Sequence, residues 1–160
     1  MSFLKSISLL ALWVGLSCFP LLVQAQVPYF TFPDLDGKTF THTQLDPNKS
    51  TMIMMFDPYC DHCETQAGWI AEAATKFQHV QFVFVTIETE KEPIKAFRDK
   101  YFGKTSLKEQ VKFLQDPDFM FEEYFGYTDD SVNIYLFKAG KKQRKYFGKE
   151  TEAETLLKFL

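Results

Sequence analysis

The feature that most constrains this chain is a pair of cysteines at the point where a strand ends and a helix begins. Cys60 and Cys63 are two residues apart, in the run Cys-Asp-His-Cys. The short apolar stretch 52–56 before them predicts a buried strand, and the spacing of apolar residues over 64–77 predicts a helix with one buried stripe. Both thiols are therefore predicted at the junction of a strand with a helix that covers its sheet.

That junction favours thiol chemistry. The first N–H groups of a helix have no partner within it, and the helix dipole is positive there, so a thiolate at Cys60 would be stabilised. The thiolate is the nucleophile of disulfide exchange, and Cys-x-x-Cys motifs at helix N-termini lower the pKa of a thiol. We predict that Cys60 attacks and that Cys63, one helical turn on, closes the disulfide.

The first 25 residues predict an exported protein. Lys5 precedes the nearly continuous apolar run 7–23, and the sequence up to Ala25 suits a signal peptidase, so we expect residues 1–25 to be removed. Two alternatives stay open: an uncleaved membrane anchor, since the apolar run is long, or a lipid anchor on Cys18. With the segment removed we expect a periplasmic protein with no stable membrane span, in which Cys60 and Cys63 are the only thiols.

The remaining residues, 26–160, are enough for one globular domain with a single core. The 18 phenylalanines predict an aromatic core rather than an aromatic binding surface. The net charge of −3 is small and the charges are mixed, so nothing predicts nucleic acid or an anionic membrane as a partner. We expect a monomer.

Hydrophobic periodicity and turn residues predict a hairpin, a parallel strand–helix–strand unit, a helix, a short strand, a short helix, a second hairpin and a terminal helix. In order, the predicted segments are 29–32 with 39–43, 51–56, 64–77, 81–87, 90–101, 111–114, 119–125, 132–137 with 142–147, and 150–160.

In these features the chain resembles the thioredoxin-like thiol–disulfide oxidoreductases, in particular the exported TlpA and ResA type, which is redoxin-like or AhpC/TSA-like. The resemblance covers nearly the whole of 26–160 and rests on Asp-Leu-Asp-Gly-Lys at 34–38, the strand and cysteines at 52–63, Asp-Pro-Asp at 116–118, and Ile-Tyr-Leu-Phe at 134–137 with Gly140. It implies an α/β thioredoxin fold with a central mixed sheet, helices on both faces and an N-terminal β-hairpin. It also implies exchange with protein thiols or disulfides and with a redox donor protein, with no cofactor and no resident metal.

The resemblance implies roles for residues near the cysteines. His62 occupies the place where disulfide isomerase and DsbA-type oxidants have histidine, and it could stabilise the Cys60 thiolate. Thioredoxin's buried carboxylate is replaced by Met54. A glutamate after the next strand can take the proton of the resolving cysteine in this family, and Glu88 is favoured over Glu90 for that role.

One departure concerns substrate binding. The family has a cis-proline opposite the cysteines, and Val132 takes its place here. Because a non-proline residue is rarely cis, we expect a trans, reshaped loop at Val132 where substrate backbone would bind. Pro58 and Tyr59 could form an apolar rim for a partner peptide, although Pro58 could equally serve only to end the strand.

Two other functions stay open. Thiolates near an imidazole suit Cu(I) or Zn, so the chain could be a metal-binding or metal-delivery module. A structural zinc site normally needs a second ligand pair, and nothing in the sequence brings His42 or His79 near the cysteines. A peroxiredoxin-like thiol peroxidase is disfavoured because Asp57 stands where those enzymes have threonine.

Overall fold

The computed structural model describes residues 27–126, 128, 130–141 and 144–160. The predicted signal segment, 1–25, lies outside the described residues. The described residues form seven strands and four α-helices, in the order β1 (Thr31–Pro33), β2 (Thr39–Thr41), β3 (Ser50–Met55), α1 (Asp61–Glu72), β4 (Val80–Thr86), α2 (Lys91–Tyr101), β5 (Val111–Gln115), α3 (Phe121–Phe125), β6 (Asn133–Phe137), β7 (Arg144–Phe147) and α4 (Ala153–Phe159).

Five strands form one mixed sheet in the order β5-β4-β3-β6-β7. The strands β3, β4 and β5 run parallel, β6 is antiparallel to β3, and β7 is antiparallel to β6. Strand β3 is central because its residues are apolar on both faces, as a strand covered on both sides must be. The predicted strand–helix–strand unit and mixed sheet are confirmed.

Helices cover both faces of this sheet, as predicted. Alternate residues of β3 point to opposite faces, so Met52 and Met54 join the core beneath α1, α2 and α4, whereas Ile53 joins a second core. That second core lies beneath α3 and the β1–β2 hairpin, where Phe30 stacks on Phe32 with ring centroids 5.7 Å apart. Most of the phenylalanines are buried in these two cores, as their number predicted.

The N-terminal hairpin is held by its turn. The carboxylate of Asp34 accepts the N–H groups of Asp36 and Lys38 at 2.9 and 2.8 Å, and Gly37 adopts a φ of 81° that favours glycine. Strands β1 and β2 form a separate two-stranded sheet, and Asp34 joins it to the main sheet through one bridge to Leu114. The predicted hairpin extension is confirmed.

Several predicted boundaries were wrong. The terminal helix predicted over 150–160 covers Ala153–Phe159, and the first strand predicted over 29–32 covers Thr31–Pro33. The helix predicted over 64–77 begins at Asp61 and ends at Glu72, and its last predicted turn is a 3₁₀ helix, Ala74–Phe77, whose tighter winding places Phe77 fully inside the core. Strand β2 ends at Thr41, because the Gln44 side chain accepts the Thr41 N–H at 2.8 Å and starts a turn. Helix α3 begins at Phe121, two residues later than predicted.

No helix of the described residues is both long and apolar enough to cross a membrane.

Candidate active site

The two cysteines sit at the start of α1, where the sequence placed them. Cys60 is the N-cap: its backbone is extended (φ −90°, ψ 117°), and its Sγ accepts the Cys63 N–H at 3.4 Å. Both cysteines are free thiols, and Cys60 is half-buried. The Cys60 sulfur thus lies at the N-terminal end of α1, where the helix dipole is positive. The local geometry is therefore that of a thiol able to act as a nucleophile.

Cys63 has a different environment. It is 3% exposed and belongs to the core beneath α1. Burial is the main cause that raises the pKa of the Cys63 thiol to about 12, and the neighbouring Cys60 sulfur makes a smaller contribution in the same direction. A buried, neutral thiol behind a partly exposed one is the arrangement needed for a resolving cysteine, which must lose its proton only after Cys60 has reacted.

His62 is paired with a residue from the far end of the chain. Its Nδ1 contacts the Glu150 carboxylate, which lies just after β7, and this hydrogen bond lowers the pKa of Glu150. The His62 side chain is 57% exposed and that of Glu150 is 24% exposed. Because Nδ1 faces a carboxylate, Nε2 is the ring nitrogen left to face other groups.

A second contact holds the same two segments together. The fully buried Gln66 side chain donates to the Thr151 carbonyl at 3.1 Å and accepts the Thr151 N–H at 2.7 Å. With the His62–Glu150 pair, this amide fixes the start of α1 against the segment that leads into α4. Sequence reasoning missed Glu150, Gln66 and Thr151, because the segments are more than 80 residues apart and carry no motif.

The predicted proton acceptor, Glu88, follows β4 at the same edge of the sheet as Cys60. It is half-buried, its N–H donates to the Thr86 hydroxyl at 3.1 Å, and its carboxylate accepts the Glu90 N–H at 2.8 Å. Glu90 is exposed. The Glu88 carboxylate thus holds the turn that leads into α2. Its role as a base for Cys63 stays a prediction.

Two replacements of family residues lie beside the cysteines. Met54 is fully buried in β3, so an apolar side chain fills the place of thioredoxin's carboxylate. Val132 is 1% exposed in the core of Cys63, and the described residues contain no cis peptide bond, so the bond before Val132 is trans as expected. Only the Val132 backbone could pair with a substrate; that role remains a prediction.

The predicted rim residues have different environments. Pro58 is buried, whereas Tyr59 is 71% exposed. The Asp57 carboxylate accepts the Tyr59 N–H at 2.8 Å, and the Asp57 carbonyl accepts the Cys60 N–H at 3.1 Å. These bonds form a turn that presents the Tyr59 ring to solvent next to Cys60. Of the two, Tyr59 is the side chain that a partner could touch.

In the part of the chain that the structure describes, no three His, Cys, Asp or Glu side chains are grouped to hold a metal ion.

Comparison with known proteins agrees with this geometry. A secreted disulfide oxidoreductase of Mycobacterium tuberculosis, homologous to E. coli DsbE, superposes with a TM-score of 0.62 at 19% identity, covering 82% of this chain and 96% of that one. A thioredoxin-like protein of Aeropyrum pernix superposes with a TM-score of 0.65 at 12% identity, covering 82% and 89%. These likenesses show the thioredoxin fold.

At the level of sequence, an SCO2-like protein of Rickettsia felis is 25% identical in an alignment 150 positions long that covers 82% of this chain and 73% of that protein. The model of the AhpC/TSA family matches residues 23–147, a range that includes the predicted strand, both cysteines and the second hairpin. The chain therefore belongs to the AhpC/TSA family and has the thioredoxin-like fold that its sequence predicted.

Proposed function

We propose that this chain is an exported thiol–disulfide oxidoreductase that exchanges a Cys60–Cys63 disulfide or dithiol with protein partners. The observation that carries the proposal is the contrast between the two thiols. Cys60 is partly exposed, with its sulfur on a helix N–H, while Cys63 is 3% exposed directly behind it. The relative from M. tuberculosis is itself described as a secreted disulfide oxidoreductase.

In the reducing direction, the Cys60 thiolate attacks one sulfur of a client disulfide and releases the other as a thiolate. Cys63 then loses its proton and attacks the Cys60 sulfur, so the Cys60–Cys63 bond forms and the second client thiolate leaves. The client gains two electrons and the chain loses two. A redox donor protein reduces Cys60–Cys63 again, and the oxidising direction reverses each step.

Two side chains have proposed roles in these steps. Glu88 is the proposed acceptor of the Cys63 proton, directly or through water, and is half-buried at the same edge of the sheet. His62 is proposed to favour the Cys60 thiolate through its positive charge, in the orientation that its contact with Glu150 sets.

Export rests on the sequence of residues 1–25, and mass spectrometry of the protein purified from a periplasmic fraction tests it. A mass that begins at Gln26 supports cleavage, whereas an intact N-terminus contradicts it. We expect the domain 26–160 to be a monomer. Sedimentation of the purified domain checks that expectation.

The test of the exchange activity is a trapping experiment. Without Cys63 the mixed disulfide on Cys60 cannot be resolved, so Cys63→Ser is expected to accumulate covalent complexes that dithiothreitol releases. Cys60→Ser/Cys63→Ser is the matched control and should form none. Absence of complexes, together with no insulin reduction by the unsubstituted protein, would contradict the proposal.

The same protein distinguishes the alternatives. Tight, stoichiometric Cu(I) or Zn on the reduced protein without exchange would favour the metal-delivery function, and peroxide consumption would favour a peroxidase. Among exchange enzymes, the Cys60–Cys63 reduction potential decides the direction. A value near about −270 mV indicates a reductant, and one near about −120 mV indicates an oxidant.

A further inference from the structure

The topology brings the loops that follow four strands to the end of the sheet that carries the cysteines. Strands β3, β4 and β5 are parallel, and β7 shares their direction through two antiparallel steps, so their carboxyl ends lie together. We call the loops that follow these strands the cysteine edge, and they comprise residues 56–60, 87–90, 116–120 and 148–150. The loops at the other end are called the opposite edge, and they comprise residues 45–49, 78–79, 102–110 and 138–141.

The charges of the chain are divided unevenly between these edges. The cysteine edge has one lysine, Lys149, and carboxylates at Asp57, Glu88, Glu90, Asp116, Asp118 and Glu150. At the opposite edge the excess has the other sign, with carboxylates at Asp46 and Glu109 and lysines at Lys49, Lys104, Lys108, Lys138 and Lys141. The loops around Cys60 therefore have an excess of carboxylates that the small net charge of the chain does not show, and such an excess attracts cations and repels anions.

Large apolar side chains are exposed at the same edge. Among the described residues, five large apolar side chains are exposed, and four of these follow β3, β4 or β5: Tyr59 at 71%, Phe119 at 68%, Ile87 at 43% and Met120 at 36%. Isolated exposed apolar residues are ordinary, but these four follow three neighbouring strands at the end of the sheet that carries Cys60, so a partner docked at that end can contact them.

Phe119 is held in a strained conformation. Its φ is 57°, in the left-handed region that bulky residues avoid, and it is the only non-glycine residue with positive φ among those described. The Asp116 carboxylate, 1% exposed, accepts the N–H groups of Met120 and Phe121 at 2.8 Å each and so fixes the turn. The buried Asp116 carboxylate therefore holds a strained turn that exposes the Phe119 ring to solvent. Backbone strain of this kind occurs mainly at functional sites.

We propose that the cysteine edge is a docking surface for a cationic client segment, one with lysine or arginine near its cysteine and a large apolar side chain beside it. The apolar side chain covers Phe119 and Tyr59, and the basic residues face the surrounding carboxylates. This inference rests on the proposed exchange at Cys60, and it adds which client disulfides react fastest with the Cys60 sulfur.

The test uses three peptides that differ only in charge. Each carries one cysteine as its thiopyridyl disulfide with a neighbouring leucine, and its flanking residues are all lysine, all serine or all glutamate. The protein is Cys63→Ser, so that the reaction stops at the mixed disulfide, and released thiopyridone reports the rate. The uncharged reagent dipyridyl disulfide measures the reactivity of Cys60 without docking.

The lysine peptide is expected to react fastest and the glutamate peptide slowest, differing by about tenfold or more at low ionic strength, because a charged surface changes encounter rates by that order. The difference should shrink with added salt, which screens exposed charges. Replacing leucine by serine in the lysine peptide should also slow the reaction.

Protein variants locate the effect. In the same Cys63→Ser background, Glu90→Gln/Asp118→Asn should reduce the ratio of lysine-peptide to glutamate-peptide rates. Glu72→Gln/Glu109→Gln removes the same charge from exposed positions away from the cysteine edge and should leave the ratio largely unchanged. Phe119→Asn removes the ring while keeping a residue that tolerates positive φ, and should abolish the preference for leucine over serine without lowering the unfolding temperature.

Equal rates for the lysine and glutamate peptides at low salt, with dipyridyl disulfide still reactive, would overturn the docking inference and leave the exchange function standing. A ratio that falls equally in both charge variants would also overturn it. If neither dipyridyl disulfide nor any peptide reacts, the proposed function fails, and this inference fails with it.

Discussion

At the opposite edge of the sheet, polar groups of separate turns form hydrogen bonds with one another. At the cysteine edge, apolar side chains and carboxylates are exposed to a partner. At the opposite edge, the buried Ser50 hydroxyl donates to the Leu160 carbonyl and accepts the Ala139 N–H, each at 3.2 Å. The Gln81 side chain bonds to the backbone of Asp46 in both directions, at 2.8 and 2.9 Å. These contacts join separate turns, so this edge contributes to stability.

At the cysteine edge, hydrogen bonds to two carboxylates hold turns that expose aromatic rings. The buried carboxylate of Asp116 holds the strained Phe119 turn, and Asp57 holds the turn that exposes Tyr59. Cys63, in the first turn of α1 behind this edge, is 3% exposed, and its burial raises its pKa. The comparison teaches that one end of a single sheet can be arranged for stability while the other holds strain and reactive groups, which is where local rules are expected to be broken for function.

The largest expected effect separates the two edges by activity. Cys60→Ser removes the nucleophile and should lower the exchange rate by about three orders of magnitude or more, with little change in the free energy of unfolding. Insulin reduction and urea unfolding measure the two quantities. Retained activity in Cys60→Ser would place the reactive group elsewhere.

The next expected effect concerns the proton of Cys63. Because burial raises its pKa to about 12, its thiolate fraction rises about tenfold per pH unit below that value, and resolution of the mixed disulfide should accelerate with pH. If Glu88 takes the proton, Glu88→Gln should slow resolution about a hundredfold at about pH 7, whereas Glu72→Gln should not. Stopped-flow release of a fluorescent client peptide measures this step, and equal rates in both variants would remove Glu88 from the mechanism.

The raised pKa of Cys63 also has a consequence for stability. Because the folded state favours the neutral Cys63 thiol, this group contributes its full stabilisation of the folded state below its ordinary pKa of 9.0. The contribution is lost as the pH rises towards the folded-state pKa of about 12. Cys63→Ser should therefore unfold with less dependence on alkaline pH than the unsubstituted protein.

Asp116→Asn tests the clamp at the cysteine edge. The amide keeps one acceptor oxygen but turns an N–H₂ group towards a backbone N–H, so we expect a loss of about 2 kcal/mol in the free energy of unfolding. The preference for a leucine-bearing peptide should fall at the same time, since the Phe119 turn depends on both bonds. Urea unfolding and the peptide assay measure the two effects, and an unchanged preference would separate Phe119 from docking.

Ser50→Ala is the matched test at the opposite edge. It removes two hydrogen bonds between β3, the C-terminal residue and the second hairpin, and should lower the free energy of unfolding by about 1 kcal/mol. Exchange rates and the charge preference should not change. A loss of the preference for the leucine-bearing peptide equal to that of Asp116→Asn would contradict the distinction between the edges.

The smallest expected effect is at Glu150. His62 lowers its pKa, so the pair stabilises the fold above the ordinary carboxyl value and loses that contribution as the pH falls through the lowered pKa. Glu150→Gln should lower the free energy of unfolding by less than about 0.5 kcal/mol at neutral pH, because the pair is partly exposed, and by less still in acid. The exposed Glu152→Gln is the control, and equal behaviour of the two variants would show that the pair contributes nothing.

Local patterns predicted most of the fold. The apolar run 51–56, the Asp-Gly turn at 36–37 and the cysteines at the start of α1 depend on neighbours in sequence, and each appears where predicted within a few residues. Asp-Pro-Asp at 116–118 lies just before the short helix α3, and the Asp116 carboxylate accepts the Met120 and Phe121 N–H groups there. The prediction failed at Phe119, which was assigned to that helix, because sequence periodicity does not reveal a turn held in positive φ by a buried carboxylate.

By itself, then, the sequence determined the junction of strand, cysteines and helix, because a helix N-terminus and its first turn are made by adjacent residues. Only the tertiary structure decided that Cys63 is buried, that Glu150 reaches His62 across 88 positions, and that the carboxylates gather at one end of the sheet. Those properties depend on strand order and direction, which bring together segments that are distant in the sequence. Neither segment's own sequence predicts its contact with the other.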